Sequence, residues 1–148
     1  MRAIRSFDEF VKSGTIRRRR PDLARARSLV SEAEHRQTFL KELMQKISIS
    51  GENANYFVEG AYDMIISLIR AKLLVDGYVS SGEGAHEAEV SYMRNLGFSE
   101  RDTRFMNDLR YFRNRIKYYG KQFDQEYAEK VLEFMERLYP QLKNLVQQ

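Results

Sequence analysis

Apolar positions recur three and four residues apart along most of this chain, the period of an amphipathic helix. Ser6-Phe7-Asp8-Glu9 has the Ser-x-x-Glu form of a capping box, and Gly14 closes the short helix it predicts. The run Arg17-Arg18-Arg19-Arg20 reads as a basic linker into Pro21, which suits a first helical turn. From there Leu23, Ala26, Leu29, Val30, Ala33, Leu40, Leu43, Met44 and Ile47 predict a long helix that stops near Ser50-Gly51. In Asn53 to Asp76, the most apolar segment, residues from Phe57 to Leu74 cover more than one face, which predicts a central helix contacted from several sides. Gly77 is its expected C-cap, Ser80-Ser81-Gly82-Glu83-Gly84 reads as an exposed loop, and a shorter helix runs from about Ala85 to Leu96.

Ser99-Glu100-Arg101-Asp102 starts the next helix, where Phe105, Leu109, Phe112, Ile116 and Tyr119 predict a core-facing stripe that ends at Gly120. The last helix follows Asp124 as N-cap and carries Ala128, Val131, Leu132, Met135, Leu138, Leu142 and Leu145, with Pro140 expected to kink or locally break it. No segment alternates with period two long enough to argue a strand, so the predicted fold is all-α. Short connections favour an antiparallel up-and-down bundle of four to five main helices. The expected organisation is one domain over 1–148, with 1–20 a short helix and basic linker and 21–148 the bundle.

Composition supports one packed domain: 148 residues, 43% hydrophobic and 31% charged, are enough for a single core. The absence of cysteine excludes disulfides and thiolate metal sites. The first residues show no apolar signal core, and no stretch approaches the roughly 18 apolar residues of a membrane span, so no membrane association and a cytoplasmic location are expected. A net charge of +4 is modest, so its distribution matters more than its total. Arg17–Arg20, with Arg25 and Arg27 following, form one basic cluster. From Arg101 to Lys121 seven Lys and Arg face only Asp102 and Asp108. Such patches track phosphates, although in an arbitrary helical protein they are more often a solvated face.

On a helical wheel at ~100° per residue, Arg110, Arg113, Asn114 and Lys117 share a face beside the apolar stripe. Tyr111 and Tyr118 flank it, and Arg115 and Lys121 complete the basic set. Cations, an amide and phenols on one strip suit a phosphodiester and a stacked base. The same pattern also describes a solvated basic face with tyrosines packed at its edges.

The segment Arg113-Asn114-Arg115-Ile116-Lys117-Tyr118-Tyr119 resembles the signature of the HEPN superfamily (higher eukaryotes and prokaryotes nucleotide-binding), an arginine and a polar residue followed after four to six positions by histidine. Ala26-Arg27-Ser28-Leu29-Val30 with Ala33-Glu34 looks like the family's first bundle helix. Ala61-Tyr62-Asp63, running into Leu73-Leu74-Val75-Asp76-Gly77-Tyr78, looks like its second. The resemblance implies a helical bundle that dimerises, with the motifs of both subunits at a shared cleft. It further implies RNA or nucleotide as ligand, no metal and no cofactor, and a minimal nucleotidyltransferase as partner of toxin-like members.

Active members are metal-independent ribonucleases. By position, Arg113 takes the charge-stabilising role and Asn114 the orienting one, while Tyr118 and Tyr119 stand where histidine is expected. A tyrosine with a pKa near ~10 is a poor general base at neutral pH, yet it still donates a hydrogen bond or stacks on a base. Binding is therefore the expected function. An active endoribonuclease toxin and a purely structural protein-interaction module are the alternatives. His35 lies mid-helix, and His86 near Glu83 and Glu87 has no second histidine to make a metal site.

Overall fold

A computed structural model describes residues 3–147, apart from the side chains of Lys117 and Tyr118. Its elements are α1 (Phe7–Ser13), β1 (Ile16–Arg18), α2 (Leu23–Lys46), α3 (Ala54–Val75), β2 (Tyr78–Ser80), α4 (Ala85–Asn95), α5 (Glu100–Tyr119) and α6 (Gln125–Val146). The architecture is an all-α bundle with one small two-stranded sheet attached. Helix starts follow the capping chemistry of the sequence: Ser6 and Glu9 form a reciprocal capping box. Asp22, Ser99 and Asp124 each accept a hydrogen bond from the backbone N–H three residues on.

Helix α3 is the axis of the bundle. Phe57, Val58, Ala61, Tyr62, Met64, Ile65, Leu68 and Ile69 on it are at most 2% exposed, so apolar contact surrounds it. Helices α2 and α6 pack along it, and α4 and α5 close the remaining sides. Residues 47–53 connect α2 to α3, short enough that the two long helices run antiparallel. Gly60 permits their close approach, since a Cβ there would lie 3.0 Å from Leu40 Cδ2. No helix among the described residues is long and apolar enough to cross a membrane.

Three local features depart from the sequence reading. The arginine run is part of a strand pair: Ile16 pairs with Ser80, Arg17 with Val79 and Arg18 with Tyr78, antiparallel. Three-residue strands are too short to show an alternating pattern, and this one is set by contacts distant in sequence. Helix α6 continues through Pro140, which sits on its exposed side, as does Glu136 four residues before it, whose carbonyl loses its N–H donor. Finally, the apolar stripe of α5 is core-facing along most of its length, but its last residue is not. Of the expected stripe Leu109 is fully buried, Phe105, Phe112 and Ile116 are half-buried, and Tyr119 is 76% exposed, while Met106, outside the stripe, is fully buried.

Candidate functional site

Helix α5 is positioned by its buried residues Thr103, Met106, Asn107 and Leu109. Arg110 and Arg113 lie one turn beyond Met106 and Leu109, which turns both arginines toward the flank of α3. Arg110 donates from Nε to Asn107 Oδ1 at 3.0 Å. The Arg113 side chain is only 19% exposed, and its Nη2 lies 3.5 Å from Asp63 Oδ1 on α3. Arg36 of α2 reaches the same carboxylate, with Nη1 3.6 Å from Oδ2. The Nε atoms of Arg36 and Arg113 are both buried and have no acceptor. Two guanidinium groups thus share Asp63, Arg36 also donates from Nη2 to Glu32 Oε1 at 3.2 Å, and each keeps an unused Nε donor.

Beneath Arg113 lies Tyr62, its ring centroid 5.5 Å from the guanidinium carbon. Tyr62 is fully buried, and its hydroxyl lies 3.0 Å from Nδ1 of His86 on α4. Burial, reinforced by Glu89, pushes the phenol well above its ordinary range, so it stays protonated. Among the described residues that hydroxyl has no other partner, so a protonated phenol beside a neutral imidazole donates to Nδ1, which corresponds to the tautomer with its proton on Nε2. His86 keeps an exposed edge. Partial desolvation lowers its pKa below the ordinary 6.5; Arg70, Arg113 and Arg110 add to that shift, and Glu89 opposes it.

Glu89 anchors the adjoining corner. At 1% exposure it accepts from Arg70 Nε at 2.7 Å and Nη2 at 3.0 Å, and from Ser80 Oγ at 2.6 Å. A cleft of about 350 Å³ opens there, with Arg25, Arg70, Ser80, His86 and Glu89 as its polar lining and Leu73, Leu74 and Tyr78 among its apolar walls. It is large enough for part of a nucleotide and carries mixed polar and apolar surface, as ligand sites do.

The residues singled out in the sequence do not all meet. Arg110 and Arg113 share the face toward α3, and Asn114 is half-buried beside Arg113. Arg115 turns to a different side, where its guanidinium stacks on Tyr111 at 5.8 Å and Tyr119 at 5.3 Å and donates to the Tyr111 hydroxyl at 3.4 Å. That strip is exposed and apart from Arg113. Lys121 lies past the helix end, where its carbonyl accepts from Asn55 Nδ2 at 2.8 Å. The side chains of Lys117 and Tyr118 lie outside the described residues.

Arg36, Arg70 and Glu89 carry no motif, Tyr62 and Asp63 belong to the family-like second helix, and the sequence assigns none of the five to the site. Tyr62 and His86 are 24 positions apart, and only packing of α4 on α3 joins them. A polar residue inside the most apolar helix is the one signal that could have marked Asp63 and Arg70. Neither Glu83 nor Glu87 partners His86; Glu87 instead accepts from Arg5 Nε at 3.4 Å. Among the described residues no group of three potential metal ligands forms. No family model, curated protein or solved structure matches this chain.

Proposed function

We propose that this chain is a HEPN-type protein that binds nucleic acid or a nucleotide through Arg113 and Arg110, acting as a homodimer beside a minimal nucleotidyltransferase partner. The observation that carries the reading is the set of unused guanidinium donors on this face, with Arg110 lacking a carboxylate partner among the described residues and Arg36 already bonded to Glu32. Arg36 and Arg113 converge on one carboxylate, and each retains a buried Nε without an acceptor. A phosphate supplies several strong acceptor oxygens and a matching negative charge, and forked guanidinium groups take it well. The homodimer and the nucleotidyltransferase partner rest on the resemblance alone.

The test is fluorescence anisotropy with a labelled oligouridine. Losing charge-assisted hydrogen bonds worth about 1.5–3 kcal/mol, Arg113→Ala should bind roughly 10- to 100-fold more weakly. Its salt slope should fall by about 0.7, the value for one phosphate contact on a single strand. Unchanged affinity removes the proposal. A second reading, metal-independent RNA cleavage by a toxin-like enzyme, is favoured by the imidazole of His86 held on Tyr62 below Arg113. Incubating the same oligouridine with the protein in chelator decides it, and intact RNA rules that reading out.

A further inference from the structure

The Arg17–Arg20 run is not a loose linker. Its backbone is pinned at four points: Ser81 N–H donates to Thr15 O at 3.0 Å, the β1–β2 ladder follows, Arg19 N–H donates to Gly77 O at 2.9 Å, and Asp22 N–H donates to Leu74 O at 3.1 Å. Arg17, Arg18, Arg19 and Arg20 are all exposed on this fixed backbone. Among the described residues only Arg19 of the four has a carboxylate partner, Asp22 at 3.7 Å, while Arg18 stacks over the Tyr78 ring at 5.5 Å. Of the four, Arg17 and Arg18 lie in β1, where neighbouring side chains are about 3.3 Å apart along the strand and leave opposite faces. Ordering them in advance removes an entropic cost that long side chains on a flexible linker would meet on binding.

These arginines line a shallow groove of about 310 Å³ whose other wall is Val79. Val79 also lines the cleft that holds Arg25, Arg70 and His86, so the two depressions adjoin. His86 and Arg113 both contact the buried Tyr62, one at its hydroxyl and the other over its ring face, so the two lie on either side of a single side chain. Along this path Arg17, Arg18, Arg20, Arg25 and Arg110 have no carboxylate partner among the described residues. These unpaired cations line the two adjoining depressions and the face beside Arg113.

We propose that the Arg17–Arg20 groove and the Arg25–Arg70–His86 cleft form one track that holds a single nucleic-acid strand by its phosphates and leads it to Arg113. The proposal rests on the reading of Arg113 as a nucleic-acid site and extends it. A single strand fits better than a duplex, because a cleft of about 350 Å³ has room for part of one nucleotide and not for a paired helix. It also fits better than a membrane, because the cations sit in depressions beside an aromatic ring rather than flanking an exposed apolar face.

The experiment compares the intact chain, Arg113→Ala, and the triple variant Arg17→Gln/Arg18→Gln/Arg20→Gln. All three positions are exposed, and thermal unfolding of the variant is expected to match the parent. Anisotropy is measured with oligouridines of about 3 and about 12 nucleotides over a range of salt, with a duplex and with vesicles containing anionic lipid as further arms. The triple variant should bind the longer oligomer roughly tenfold or more weakly, with a salt slope reduced by about 2. Its affinity for the short oligomer, held at Arg113, should stay within about twofold of the parent. If the triple variant keeps full affinity and slope while Arg113→Ala loses them, the track is overturned and the Arg113 site stands. Loss in the triple variant alone leaves an isolated arginine surface and overturns the continuous track. Preference for duplex or vesicles over the single strand also overturns it.

Discussion

Replacing Glu89 by alanine removes the acceptor that neutralises Arg70 and binds Ser80. Glu89 is 1% exposed as a side chain and Arg70 is 29% exposed, so the carboxylate is fully desolvated while the guanidinium retains a route to water. Breaking a fully buried ion pair costs about 3–5 kcal/mol, because the surviving charge is left uncompensated. Partial access of water to Arg70 reduces that, and the expected loss for Glu89→Ala is about 2–3 kcal/mol. For a domain of this size the corresponding fall in Tm is about 5–10 °C. Urea and thermal unfolding followed by circular dichroism measure it. The paired replacement Arg70→Met/Glu89→Leu removes both charges and fills the same volume, and its stability should return to within about 1 kcal/mol of the parent. A loss below about 1 kcal/mol in Glu89→Ala, or a double variant less stable than the single one, refutes the reasoning from an uncompensated buried charge.

Two further expectations concern the backbone of the arginine strand and the pH response of the site. Gly77 has φ +87° and a Cβ there would lie 3.0 Å from the Arg19 carbonyl, whereas Gly14 at φ +86° has nothing within 4 Å. Gly14→Ala should therefore cost only the left-handed conformational penalty of about 1–2 kcal/mol, and Gly77→Ala measurably more; equal costs in urea unfolding would show that the strand can yield. His86 titrates below its ordinary 6.5, so on acidification the unfolded chain takes up its proton first. Its contribution is complete above about 6.5, falls as pH drops below that value, and stops changing below the depressed folded pKa. His86→Gln should flatten the parent's rise in stability with pH across that window, and an unchanged slope would contradict a neutral His86 in the fold.

Local chemistry along the chain determined the helices. Caps such as Ser6, Asp22, Ser99 and Asp124 are chosen by side-chain bonds to the next turn, and a helical apolar period survives whatever the helix packs against. The central place of α3 followed from apolar residues on all its sides, and the basic face of α5 from spacing alone. Tertiary packing decided the rest. It placed Arg113 over Tyr62 and against Asp63, sent Arg115 to the exposed tyrosines, and brought His86 to a phenol 24 residues away. It also made a strand of Ile16–Arg18, residues whose own pattern predicts none, by pairing them with Tyr78–Ser80. A site assembled from four helices leaves no periodic trace, because its residues need only meet in space, and so Arg113 was legible as a candidate while its surroundings were not.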